Sequence, residues 1–324
     1  MFVNELQEAL PPPNHRRGLV AWIRQNLFPN WWNGLLTLML AYLLLPLLWS
    51  ALDWAIFSAN WQGSSRADCA QGGACWVFIE SRLGQYLYGF YPADQYWRIN
   101  LAFAGLEVVE TNRWGGLMLT LVLAVVGIVV ALPFGILLAL GRRSHMPVIS
   151  SLSTVYIEFW RAVPLITVLF MASVMLPLFM TSEVELDKLL RALIGIILFQ
   201  AAYVAEVVRG GLQAIPKGQY EAGEALGLSY WKVMGLVIMP QALKITIPSL
   251  VNTFISLFKD TSLVLIIGLF DLLAISKVAL ADPAWLGFST EAYVFIAMIF
   301  WMFCFGMSRY SIYLERKLNT GHKH

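Results

Sequence analysis

Long apolar runs separated by short polar intervals dominate the chain. Trp31 to Leu52, Trp114 to Leu140 and Ala162 to Ser182 contain no Asp, Glu, Lys or Arg. Leu189 to Ala205 carries Arg191 alone, and Ile245 to Phe270 carries only Lys259 and Asp260. Ala292 to Ser308 is free of charge, and its apolar character continues as far as Tyr313. A helix needs about 20 largely apolar residues to cross a bilayer, whereas a barrel strand needs about 10 with strict alternation. The runs are long and continuous, so they predict six transmembrane helices in an all-α polytopic protein.

Composition agrees. Of 324 residues, 59% are hydrophobic and 13% charged, with a mean hydropathy of +0.67. Soluble domains are nearer 45–50% apolar and about 25% charged. A disordered chain, a disulfide scaffold and an ordinary cytosolic enzyme are excluded. A net charge of +2 is too small to mark a nucleic-acid surface. Three cysteines and four histidines, with no C-x-x-C and no H-E-x-x-H, argue against a metal site.

Basic residues set the orientation. With both termini in the cytoplasm, the inner segments 1–30, 141–147, 206–244 and 309–324 hold thirteen Lys and Arg. The outer segments 53–113, 181–191 and 271–291, of nearly equal total length, hold seven. Residues 1–30, with Pro11, Pro12 and Pro13, are expected to be a cytoplasmic tail, and 31–57 an extra N-terminal helix that is too long for a signal-peptide core. Residues 58–113 are an outer and interfacial segment, with an aromatic-rich interfacial helix expected over Trp76 to Tyr91. Cys69 and Cys75 lie here, either bridged by an oxidising compartment or left as two thiols. A core over 114–313 and a cytoplasmic tail at 314–324 complete the division.

The interval 212–240 is long for a loop between spans and rich in small residues. Pro216 suits a helix start and Gly227 its end. A second helix is expected from Ser229, a suitable N-cap. Ala222, Gly223 and Ala225 would let another backbone approach closely. A docking helix and a connector packed on its own bundle fit this spacing equally well.

Glu221-Ala222-Gly223, three residues, Gly227, nine residues and Val237-Ile238-Met239-Pro240 resemble the EAA loop of ATP-binding-cassette importer permeases. That pattern is E-A-A, three residues, G, nine residues, I-x-L-P; Gly223, Val237 and Met239 depart from it conservatively. Arg161-Ala162-Val163-Pro164-Leu165 is similar to the R-G-T-P-L of polar amino-acid permeases. Ala202 to Gly211 resembles their A-Y-x-A-E-x-x-R-G-G, and Lys259-Asp260-Thr261-Ser262-Leu263 their K-D-T-S-L. The resemblance covers roughly 114–313 and is closest to permeases of histidine, glutamine and general L-amino-acid importers. It implies a type I permease core of five helices plus at least one extra N-terminal helix, in a bacterial inner membrane. Longer members carry further spans before the core, for which 98–113 is too short.

The resemblance also implies partners. Glu221, Ala222, Gly223 and Gly227 would dock an ATPase subunit, which would hold ATP and Mg. The chain itself has no G-x-x-x-x-G-K-[ST] phosphate loop and is expected to bind no cofactor and to catalyse nothing. A periplasmic amino-acid-binding protein, a homologous second permease in a heterodimer, and membrane lipid complete the set, with no nucleic acid. An amino-acid zwitterion needs a cation and an anion along its path. Arg161, Glu206, Lys259, Asp260 and Ser262 are the candidates, because ionisable groups at bilayer depth are costly unless they serve or are paired. The alternative for these charges is a structural network. A stand-alone secondary amino-acid transporter would have no use for a docking loop, and an intramembrane enzyme would need a polar cluster that the sequence does not show.

Overall fold

The computed structural model describes residues 18–69, 72–92, 95–96, 114–179 and 186–318. Expectations on Pro11 to Pro13, on the 98–113 interval, on the end of the third run at Ser182 and on residues 319–324 lie outside the described residues. The chain divides into two compact units, residues 1–63 with 67–75, and residues 64–66 with 76–324.

The first unit contains α1 (Leu19–Asn26) and α2 (Trp31–Phe57). α2 is apolar all round, and none of its apolar window is buried within the chain. A helix of that kind belongs in lipid or against another membrane chain. After α2, Ala74 N–H donates to the Trp54 carbonyl and Asn60 N–H to the Ala74 carbonyl, both at 2.8 Å. Cys69 and Cys75 are bridged within this segment, with Cα atoms 5.6 Å apart.

The second unit is a helical bundle. α3 (Trp76–Tyr88) falls where an interfacial helix was expected, and at about 20 Å it is too short to span. It packs on the bundle: Phe78 stacks with Phe288 and meets Trp285 at a tilt, and Tyr86 meets Phe295 edge-on. The spans are α4 (Gly116–Arg142), α7 (Lys188–Ala214), α9 (Tyr230–Ile267) and α11 (Ser289–Leu318). Between them lie α5 (Pro147–Ala162), α6 (Leu165–Phe179), α8 (Lys217–Ala225) and α10 (Leu272–Leu280). With α2, five helices among the described residues are long and apolar enough to cross a membrane, and six if α5 and α6 count as one bent span.

That bend corrects the third expected span. Ala162 does not open a helix but closes α5, and α6 leaves at 100°. The cause is local. Pro164 disfavours the helical region for the residue before it, and Val163 is extended at φ −94°, ψ 134°. The fifth span also starts earlier than its apolar run. α9 begins at Tyr230, so residues 230–240 are its base rather than loop. A π turn at Val233–Ile238 precedes Pro240, which has no N–H to give to the helix ladder.

α4 and α7 approach at backbone distance. A Cβ on Gly135 would stand 2.6 Å from Val204 and 2.9 Å from the Ala201 carbonyl. Gly127 faces Ile196 and Leu257, and Gly211 faces Thr246 and the Ala242 carbonyl. In a membrane, where burial from water drives no helix pairing, such small-residue contacts supply the packing. α4 starts in an equally tight place: Gly116 has φ +62°, and a Cβ there would lie 2.1 Å from the Tyr86 carbonyl. Its N–H donates to Phe270, and Thr120 Oγ1 accepts from Leu272 N–H at 3.1 Å. This fixes the first turns of α4 to the start of α10, whose N-cap Asp271 is fully buried and accepts from Leu273 and Ala274 N–H.

Candidate functional site

α7 ends at Ala214, Ile215 turns extended, and α8 runs from Lys217 to Ala225. The end of α8 is a Schellman turn. Leu228 N–H donates to the Gly223 carbonyl and Gly227 N–H to the Glu224 carbonyl, with Gly227 left-handed at φ +74°. Gly227 is therefore required by the turn, and the space around its α-carbon is open. Ser229 occupies the N-cap position of α9, although its side chain makes no capping bond. Glu221, Ala222 and Gly227 are exposed, together with Leu226 at 79% and Trp231 at 73%. Gly223 faces the other way and is buried on Val233.

The candidate charges form one cluster and one separate stretch. Glu206 on α7 is the centre of the cluster. Its Oε2 lies 3.6 Å from Arg161 Nη1 and 3.4 Å from Arg142 Nη1, and it accepts from Arg209 Nε at 3.1 Å. Arg209 Nη2 closes a bidentate pair on Oε1. Arg142 also reaches Glu158 at 3.1 Å. The side chain of Glu206 is 23% exposed and that of Arg161 40%. Three cations thus converge on one half-buried acid, tying the ends of α4 and α5 to α7. Arg161 further lies over the ring of Tyr203, at 5.8 Å.

Lys259, Asp260 and Ser262 end α9 and do not join that cluster. Among the described residues Lys259 and Asp260 make no salt bridge, as expected for neighbours about 100° apart on a helix. Ser262 Oγ donates to the Lys259 carbonyl at 2.9 Å. Asp260 lines a cavity of about 280 Å3 with Phe199, Gln200, Tyr203, Asn252, Thr253 and Ser256. Gln200 Nε2 donates to the Thr253 carbonyl at 3.2 Å across it. Gln200, Asn252 and Ser256 were not among the sequence candidates. The signal for Asn252 and Ser256 was their four-residue spacing with Asp260, one polar face of α9, whereas Gln200 lies on α7 and had no such pattern. Tyr203 belongs to both places: it carries Arg161 over its ring and lines the cavity. Arg191, the one charge in the fourth run, donates to the Ser173 carbonyl of α6.

Residues 131–320 match the family described as binding-protein-dependent transport system inner membrane component. The chain is 58% identical over 349 aligned positions to the inner membrane amino-acid ABC transporter permease protein YhdY of Escherichia coli K12, covering 95% of each. It is 38% identical over 426 positions to the glutamate/glutamine/aspartate/asparagine transport system permease protein BztC of Rhodobacter capsulatus, covering 98% of each. Both alignments are longer than the 324 residues of the chain, so each relative has internal positions that this chain lacks. A chain in the crystal structure of an amino acid ABC transporter with histidines superposes with a TM-score of 0.55 at 30% identity, over 62% of this chain and 92% of that one. A multi-pass helical bundle with this match over most of its length belongs to the binding-protein-dependent transport system inner membrane component family, as an ABC importer permease of the inner membrane.

Proposed function

We propose that the chain carries L-amino acids inward, driven by ATP hydrolysed with Mg on a separate ATPase that docks on α8. The observation that carries this reading is the outward face of a short helix held between two spans. Glu221, Ala222 and Leu226 are exposed there, beside a glycine turn that leaves open space. Amino acids are the substrate class in the names of YhdY and BztC. Both termini and α8 lie in the cytoplasm, in line with the excess of Lys and Arg in the segments they share. A binding protein delivers the substrate from outside, and a homologous second permease completes a heterodimer surrounded by lipid.

Substrate passes the cavity beside Asp260. A zwitterion has an ammonium for the Asp260 carboxylate and a carboxylate for the planar fork of Arg161. Arg161 can leave Glu206 at small cost, because Arg142 and Arg209 remain on that acid.

The test is reconstitution with the ATPase, second permease and binding protein. Leu226→Asp and Gly227→Trp are expected to abolish substrate-stimulated hydrolysis and uptake. Normal uptake and normal stimulation in both variants would overturn the reading. Ion-driven uptake by the purified chain alone would establish the secondary transporter instead.

A further inference from the structure

α7 stops where Pro216 enters the chain. In an uninterrupted helix the Leu212 carbonyl would accept from the N–H of residue 216, and proline has none. Two side chains take that place. Arg143 Nη1 donates to the Leu212 carbonyl at 2.9 Å, and Tyr220 Oη lies 3.2 Å from the same oxygen as a second donor. Arg143 Nη1 is also 2.9 Å from Tyr220 Oη, and its guanidinium lies over the phenol ring, 5.4 Å from the centroid.

The three groups come from three elements. Arg143 caps the end of α4, Leu212 is in the last turn of α7, and Tyr220 is on α8. A cavity of about 250 Å3 opens beside them, lined by Arg143, His145, Tyr220, Glu224 and Tyr230 among others. Tyr220 packs against the apolar cluster of Leu212, Ile215, Val233 and Met234 with one part of its ring and borders the cavity with another. α8 is also attached to the base of α9, where Gly223 rests on Val233, a residue that lines the same cavity, and where Gln241 Nε2 donates to Gln219 Oε1 at 3.1 Å.

We propose that Arg143 is a positioning residue for transport: it sets the angle of α8 against α4 and α7, so that movement of the spans and movement of α8 are one event. The inference rests on the reading of α8 as the ATPase-docking helix. Without Arg143, α8 stays attached through Gly223 and Val233 but turns about that contact. The expected defect is loss of coupling, with assembly kept. A lysine at 143 supplies a point charge that reaches one acceptor and not both. A phenylalanine at 220 keeps the ring and loses the hydroxyl.

The experiment uses the full transporter in proteoliposomes and reads three quantities: ATPase bound per permease, substrate-stimulated hydrolysis, and amino acid taken up per ATP. Arg143→Ala is expected to keep the first two and to lower uptake per ATP at least about fivefold, the lower end of usual coupling between sites. Tyr220→Phe should show a smaller fall, and Arg143→Lys should lie between Arg143→Ala and the parent. Unchanged uptake per ATP in Arg143→Ala would overturn the proposal, as would a loss that only tracks lost assembly. Leu226→Asp in the same system separates the two ideas. If it leaves transport intact, the docking reading has failed; if it blocks transport while Arg143→Ala does not, only the positioning role has.

Discussion

Gly223 lies so close to Val233 that a Cβ at position 223 would stand 2.8 Å from one Val233 methyl and 2.9 Å from the other. The family pattern has alanine there, and this chain has glycine because a branched side chain lies beneath. Replacing glycine by alanine in a helix gains about 0.5–1 kcal/mol. Overpacking against a stiff side chain costs about 1–3 kcal/mol and wins. Gly223→Ala is therefore expected to lower the melting temperature of the complex, and Gly223→Ala with Val233→Ala to recover it. A stabilised single variant would show that the contact relaxes freely.

The arginine cluster makes unequal predictions for its members. Arg161→Ala leaves Glu206 with Arg142 and Arg209, so complex yield is expected to stay near the parent's. Uptake should fall by roughly 13- to 160-fold, the loss expected for one hydrogen bond to a charged group of about 1.5–3 kcal/mol at about 1.4 kcal/mol per factor of ten. Glu206→Gln removes the acid from three guanidinium groups and should reduce yield and uptake together. Measuring both quantities on one preparation distinguishes the cases. Full yield and full uptake for Arg161→Ala would remove Arg161 from the pathway.

Asp271 predicts a dependence of stability on pH. Burial pushes its carboxyl up to about 6, against the opposing pull of the Ala274 and Leu273 N–H groups and of Lys277. The value in an unfolded chain is about 3.9, so between the two the folded state holds a proton that the unfolded state has lost. Its contribution is complete below pH ~4 and is lost as pH rises through about 6, at most ~3 kcal/mol at about 1.4 kcal/mol per unit. Asp271→Asn keeps an acceptor for the cap and cannot ionise. Thermal melts from pH 4 to 7 should show a fall in the parent that the variant lacks; parallel curves would contradict the assignment.

Orientation is open to labelling. A cysteine introduced at Lys217 is expected to react with impermeant reagents only from the cytoplasmic side, and one at Ser64 only from outside. Labelling of position 217 from outside would reverse the topology.

The spans were legible because an uninterrupted apolar run has few other uses; among the described residues five of the six expected spans are single long helices, and the sixth is the bent pair α5 and α6. α5 was not foreseen, since only one face of Pro147–Ala162 is apolar and Glu158 and Arg161 interrupt it. Pro164 announced a break but not its angle, because proline restricts the residue before it without fixing the direction of the next helix. The spacing of Glu221 to Pro240 revealed the segment, yet spacing could not show that Gly223 turns inward while Ala222 turns outward. The meeting of Arg161 and Glu206 joins two helices far apart in sequence, and no local pattern encodes it. Asn252 and Ser256 were visible four residues apart, hidden inside a run judged by its mean apolarity.

The close approach of α4 and α7 limits how this protein can change shape. Sliding one helix along the other by a single residue, about 1.5 Å, would drive the Val204 methyls and the Ala201 carbonyl out of the notch at Gly135 and into a side chain beside it. The two helices therefore act as a keyed shaft, fixed in register and able to tilt only together.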